Sequence, residues 1–323
     1  MSTGLIRSMG QRHFGLPPRF DPQEGTTVLE PSDKGYGYWI GGHRVVYDPD
    51  EGKFFLFYRI RQPLGKGRGG KCGVAESSDG CKFTTIWEAT KDQLDAVSIE
   101  VGSLIKDPAS GNWRLYISYQ AVGGPWRIDL IEADHPRNFN AWHHRTVMLP
   151  DNYGLNSMKD PAVYIVGGLY VAFVCIPARQ RYTEDADGWR HPKGDDETGL
   201  CTSADGIYFK NFKYIFEPGV KAPGDWGGFR ARISSVVYLP PVYVGFFDGG
   251  TTAYDMYEEW CGLAVSHDLE RWTRVSTNGP WVRSPYGCIR YIDALIVNDD
   301  IWYYYEWARK DGSHELRANK VSL

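Results

Sequence analysis

Gly73-Val74-Ala75-Glu76-Ser77-Ser78-Asp79 recurs without gaps as Gly199-Leu200-Cys201-Thr202-Ser203-Ala204-Asp205 and as Gly262-Leu263-Ala264-Val265-Ser266-His267-Asp268. Each copy closes on Ser-x-Asp, and an aromatic residue stands four positions beyond the Asp: Phe83, Phe209 and Trp272. The alternation followed by a polar turn is the signature of a strand running into a tight turn. A degraded fourth copy occupies residues 128–134, and residues 315–321 make a fifth. The Asp residues at 79, 134, 205 and 268 are 55, 71 and 63 residues apart. Self-similarity on that scale marks a repeat architecture.

Upstream of each copy lies a second apolar strand, at residues 54–58, 115–119, 169–174, 242–247 and 302–305. Ahead of each of those, a further strand ends in a Pro- or Gly-marked turn: 48–52, 107–111, 167–168, 240–241 and 298–300. Outer strands are expected at 145–148 and 213–216. The expected fold is all-β: one five-bladed β-propeller domain over residues 1–323, with four-stranded antiparallel blades around a central channel.

Bulk properties narrow the function. A net charge of −4 argues against a nucleic-acid footprint. No run of about 18 apolar residues is present, so no membrane span is expected. Residues 1–20 carry no signal-peptide core, which predicts a soluble, cytoplasmic chain. The six cysteines form no CxxC pair. Cys72 and Cys261 immediately precede the aligned glycine and Cys201 lies within its copy, so they read as small residues packed between blades. No metal or cofactor is expected. Aromatic residues reach 15%, with 12 Trp and 21 Tyr; they suit pleated strands and also offer ring faces to a sugar.

Counting seven residues back from Asp48, Asp107, Gly167, Leu239 and Asp300 at the inner-strand turns gives Gly41, Glu100, Asp160, Arg232 and Asp293 as equivalent positions facing the channel. Loops at 60–71, 120–126, 177–198 and 248–260 are expected to cover the same end, where binding groups concentrate. These loops and their flanks carry Arg59, Arg61, Trp126, Arg181, Trp189, Asp248, Tyr254 and Trp260, with Glu306 and Trp307 in the last blade. Trp39 and His43 flank Gly41. Arg230, Arg232 and Arg290 could bind an anion through guanidinium forks, which raises an acidic sugar or phosphate as a substrate component. The Gly65-Lys66-Gly67-Arg68-Gly69-Gly70 run lacks the spacing of a phosphate loop and reads as a hairpin loop. His143 and His144, adjacent on a strand, point to opposite faces and suggest no metal.

Five blades, the repeated Ser-x-Asp-Gly-x-x-aromatic motif and an acid before proline at Asp160-Pro161 resemble the furanosidase propellers. These are the family 43 arabinanases and xylosidases, the invertases and levansucrases, and the related family 130 phosphorylases. The resemblance implies an enzyme that cleaves a glycosidic bond with carboxylates at the starts of inner strands. Carried over by position, Glu100 and Asp160 become the catalytic pair and Asp293 a third acid that modulates them. Arg232, Arg290, Trp39, His43, Arg59, Trp126, Asp248 and Glu306 become substrate-binding candidates, and the expected partner is a carbohydrate or sugar-like small molecule. The chain departs from that pattern in blade one, where Gly41 replaces the usual Asp, and in having Glu100 then Asp160 where Asp then Glu is usual. A lyase, isomerase or phosphorylase on the same shell, or a non-catalytic sugar-binding propeller, stays open at this point.

Overall fold

The computed structural model describes residues 14–177, 182–184, 190–192, 196–219, 226–252 and 257–323. After β1 (Thr26–Leu29), strands β2 (Trp39–Asp48), β3 (Lys53–Arg61), β4 (Gly69–Ser77) and β5 (Thr84–Thr90) pair in order as the first antiparallel unit. The second comprises β6 (Ala96–Lys106), β7 (Trp113–Ala121), β8 (Trp126–Ala133) and β9 (Arg145–Met148). In the third, β10 (Lys159–Val166) and β11 (Leu169–Pro177) are followed by a small hairpin, β12 (Tyr182–Glu184) and β13 (Arg190–Pro192), before β14 (Asp196–Ser203) and β15 (Lys210–Phe216). The fourth comprises β16 (Arg230–Leu239), β17 (Val242–Gly250), β18 (Trp260–Ser266) and β19 (Thr273–Arg274). The fifth has β20 (Ile289–Val297), β21 (Asp300–Ala308) and β22 (His314–Ser322), and its outer strand is β1, paired antiparallel to β22. The N-terminal segment therefore completes the C-terminal blade, an assignment that no local pattern in residues 26–29 suggests.

The aligned repeat strands are β4, β14 and β18, with the degraded copies in β8 and β22. Their Ser-x-Asp ends are structural. Asp79 Oδ1 accepts from the Cys81 and Lys82 amides, and Ser77 Oγ accepts from Asp79 and Gly80; residues 203–208 and 266–271 repeat the arrangement. The turn requires positive φ at Gly80 (+74°) and Gly206 (+72°). A Cβ on Gly80 would lie 2.8 Å from the Trp302 ring, so glycine is needed there for space as well as for backbone freedom.

Hydrophobic clusters lie between the blades. Phe55 and Phe57 pack with Trp113 and Leu115; Tyr116 and Leu130 with Val163 and Tyr170; Phe173 with Ile233 and Phe247. Phe246 then packs with Tyr303, and Tyr304 with Phe54 and Leu56, which closes the ring. Each blade buries both faces against its neighbours, the physical requirement of a β-propeller. Cys72, Cys201 and Cys261 belong to these clusters as free thiols. Among the described residues, no helix is long and apolar enough to cross a membrane.

Candidate active site at the channel mouth

Every inner strand has a β-bulge near its start, between Gly41 and Arg44, Ile99 and Gly102, Lys159 and Ala162, Ile233 and Ser235, and Arg290 and Asp293. A bulge breaks the ladder, leaves an amide unpaired and re-aims a side chain. The preceding blade supplies the missing acceptor. Ser118 Oγ accepts from Asp160 N (3.1 Å), Thr198 Oγ1 from Ile233 N (2.9 Å) and Asp248 Oδ1 from Tyr291 N (2.9 Å). Asp160 (φ +52°) and Tyr291 (φ +54°) thus hold left-handed backbone that their side chains disfavour, a kind of strain that collects at functional sites.

The bulges correct the counted register. Glu100 and Asp160 are indeed equivalent, each the first bulged residue of its strand, and their counterparts are Gly42 and Tyr291. Asp293 lies beyond its bulge, deeper in the channel, where Oδ2 accepts from Val45 N (2.6 Å) of blade one. It is an inter-blade latch and does not line the pocket. The offset arises because the seven-residue interval runs from Asp300, which opens β21, whereas the inner strand ends at Val297; the same interval from Asn298 reaches Tyr291.

A pocket of about 190 Å³ opens at the channel mouth, lined by Glu100, Trp126, Lys159, Arg232, Arg290 and Tyr291, together with Arg61, Arg68, Ser157, Asp196, Arg230, Tyr257 and Glu259. Six residues singled out in the sequence, Arg61, Glu100, Trp126, Arg230, Arg232 and Arg290, therefore meet around this pocket. Asp160 sits immediately behind it. Its Oδ2 accepts from Arg232 Nη1 (3.2 Å) and lies 3.9 Å from Lys159 Nζ, while Oδ1 has no hydrogen-bond partner among the described residues. Trp39 is buried behind the wall, stacked on His314 (4.5 Å) and supporting the Arg61 and Arg290 guanidinium groups at 4.7 and 5.1 Å. It backs the arginines and is not open to a ligand. His43 is fully buried, and burial brings it down to about 4, so it is a neutral imidazole away from the pocket. Arg181, Trp189 and Tyr254 lie outside the described residues.

Blade one has no carboxylate of its own at the mouth, yet the space is filled by one. A side chain on Gly41 would collide with the Glu306 carboxylate, which β21 projects across from blade five. Glu306 accepts from Arg290 Nη2 (2.6 Å), its Oε1 lies 2.7 Å from His314 Nδ1, and its Oε2 lies 3.7 Å from Arg59 Nη2. Burial alone would raise it, but Arg290 and His314 hold it well below the usual glutamate range.

Glu100 pairs with Arg59 (Oε2 to Nε, 3.5 Å) and Arg68 (Oε1 to Nη2, 3.8 Å). Burial pushes its pKa up, and Arg59, Arg61, Lys159 and Arg68 together outweigh that, bringing it to about 2. Asp248 bonds to Arg232 Nε (3.0 Å), but burial prevails and raises it to about 6. Glu259 gathers Arg230, Arg232 (Nη2, 3.3 Å) and Arg290 (Nη1, 3.0 Å). Burial would raise it, and those three guanidinium groups hold it far below the usual range. The Tyr291 ring lies between Arg232 (4.2 Å) and Arg290 (5.0 Å).

Lys159, Asp196, Glu259, Tyr257 and Tyr291 escaped the sequence reading. Asp196 and Glu259 each stand three residues ahead of the aligned glycine of their repeat, so an offset search upstream of the motif would have found them. Arg68 belongs to the glycine-rich loop set aside as a hairpin loop, and that loop delivers it to Glu100.

The fold is shared with carbohydrate-active enzymes. A thermostable family-43 glycoside hydrolase is 14% identical with a TM-score of 0.69, the match covering 92% of both chains. An α-L-arabinofuranosidase from Lactobacillus brevis is 12% identical with a TM-score of 0.60, over 87% of this chain and 90% of that one. A β-1,2-mannobiose phosphorylase from Listeria innocua is 12% identical with a TM-score of 0.61, over 92% and 94%. The chain is similar to these propellers in fold. No family model matches its sequence, and no curated protein matches it.

Proposed function

We propose that the chain is a glycoside-cleaving enzyme of the five-bladed propeller type, acting on a carbohydrate at the channel mouth with Glu100 and Asp160. The observation that carries this reading is their equivalence: two carboxylates at the same bulge position of adjacent inner strands, beside one pocket. Their environments differ, as paired carboxylates with different tasks require. Glu100, surrounded by cations, is the charged partner and serves as nucleophile or as the base that activates water. Asp160, equivalent to Glu100 and with its buried Oδ1 making no hydrogen bond among the described residues, takes the complementary role of general acid toward the glycosidic oxygen as the bond to the anomeric carbon breaks. Trp126 offers a ring face for the sugar, and Arg232 fixes Asp160. The likeness of fold supports this reading without deciding the chemistry, because one fold hosts many reactions.

The test is a product-resolved screen of the purified chain on aryl glycosides and natural oligosaccharides, with and without phosphate. New reducing ends that vanish in both Glu100→Gln and Asp160→Asn are expected. Cleavage that persists in both variants would remove this pair from the chemistry, and conversion of substrate without bond cleavage would replace the reading with isomerisation or elimination.

A further inference from the structure

Among the described residues, thirteen line the pocket, and six of these are Arg or Lys against three carboxylates. Half of the cations are already matched: Arg230, Arg232 and Arg290 converge on Glu259, and Arg230 and Arg232 also approach Asp196 at 3.3 and 3.9 Å. The other three, Arg61, Arg68 and Lys159, make no hydrogen bond to a carboxylate among the described residues. Arg68 lies 3.8 Å from Glu100 and Lys159 lies 3.9 Å from Asp160, while Arg61 makes no ion pair among the described residues.

Arg61 is nonetheless buried and held rigidly. Its guanidinium carbon lies 4.7 Å from the Trp39 ring and 4.6 Å from the Tyr257 ring, two rings that touch each other at 5.2 Å and so flank it from neighbouring directions, and Trp39 is itself backed by His314. Among the described residues no hydrogen bond or ion pair takes up its N–H groups, which leaves the planar fork for bidentate capture of a planar anion. A chain with a net charge of −4 has thus placed in the pocket, beside its catalytic candidates, one arginine with no ion pair among the described residues and two further cations whose carboxylate partners stand 3.8 and 3.9 Å away.

We infer that the pocket takes a sugar carrying a carboxylate, and that Arg61 receives that carboxylate with Lys159 and Arg68 contributing to the field. The inference rests on the glycoside reading of the same pocket and names its substrate class. A monoanion fits better than phosphate because Glu100, Asp196 and Glu259 share the wall and repel a dianion more strongly.

Isothermal titration calorimetry at neutral pH tests it, with galacturonate, glucuronate and mannuronate each set beside galactose, glucose and mannose. Inorganic phosphate and glucose 6-phosphate form a further arm. At least one uronate is expected to bind about 10-fold or more tightly than its neutral counterpart. Arg61→Met should erase that preference and Arg61→Lys should keep part of it. Lys159→Gln should weaken uronate binding selectively, which preserves the test should Arg61→Met fail to fold. Equal affinities in every pair, no uronate binding at all, or a preference that survives Arg61→Met would overturn the inference. Tighter binding of either phosphate ligand than of every uronate would overturn the choice of carboxylate. Cleavage of neutral glycosides without uronate preference would remove this inference alone, whereas Arg61-dependent uronate binding without cleavage would remove the glycosidase reading alone.

Discussion

Arg59 Nε lies 3.5 Å from Glu100 Oε2, with both side chains buried at the channel mouth. Burial pushes Glu100 up and Arg59 leads the cations that return it to about 2. A depressed carboxylate stays charged until the pH falls through its folded pKa, so under the proposed role the acid limb of kcat/KM that belongs to Glu100 should lie near 2. In Arg59→Gln that limb should rise by about 1–3 pH units, the effect of losing one close opposite charge. A pH–rate profile checks this, and an unmoved limb would show that Arg59 does not set the charge of Glu100.

Glu100→Gln and Asp160→Asn should each lower kcat by about 10²–10⁴-fold, the range for a lost general acid or base. Both replacements keep the side-chain shape, so the fold should be kept, but each removes a buried counter-charge from Arg59 or Arg232 and should lower the melting temperature. Steady-state kinetics and calorimetry on the same preparations separate a chemical role from a structural one.

Trp126 lines the pocket between Arg68 and Lys159, whose charges lie 5.6 and 6.0 Å from its ring. Trp126→Ala should raise KM by about 10-fold with a smaller effect on kcat, as the loss of an aromatic contact surface predicts. A kcat loss with unchanged KM would assign Trp126 to positioning of the carboxylates.

Asp293 should matter to stability and not to turnover. Burial raises it to about 6, Arg44 opposing only in part, and its acceptor role toward Val45 N joins blade five to blade one. A raised carboxyl pKa means that the folded state holds the proton more tightly than the unfolded state. Its stabilisation is complete below the unfolded pKa of about 3.9 and is lost as the pH rises through about 6. Melting temperature should therefore decline across that window, and Asp293→Asn should flatten the decline while kcat at neutral pH persists. An unchanged slope would assign the decline to other groups, Asp248 first among them.

Phe20 precedes the strand that completes the last blade and stacks on Tyr303 at 4.4 Å. Phe20→Ala should destabilise the chain by about 3–5 kcal/mol, the usual cost of removing a buried phenylalanine. Denaturant unfolding measures it, and a cost within error of zero would mean that the N-terminal segment is not part of the cooperative unit.

By itself the sequence determined the repeat and the propeller that follows from it, because alternation, turn chemistry and Ser-x-Asp closure are local properties of each strand. It also placed Glu100 and Asp160 at equivalent positions, since their strands run equal lengths from bulge to turn. Tertiary structure decided the rest of the site. Tyr291 takes the place at the mouth and Asp293 lies beyond it, because the polar run Asn298-Asp299-Asp300 does not reveal that the inner strand already ends at Val297. Glu306 fills the space that Gly41 leaves, although the two are far apart in the chain and meet only because the ring closes. Asp196 reaches the pocket from the start of the third strand of its blade and Glu259 from the residue just before such a strand, and β1 is recruited to the last blade by the open edge of β22. Each of these is a meeting of segments from different blades, and such meetings are set by packing around the ring, which no single stretch of sequence encodes.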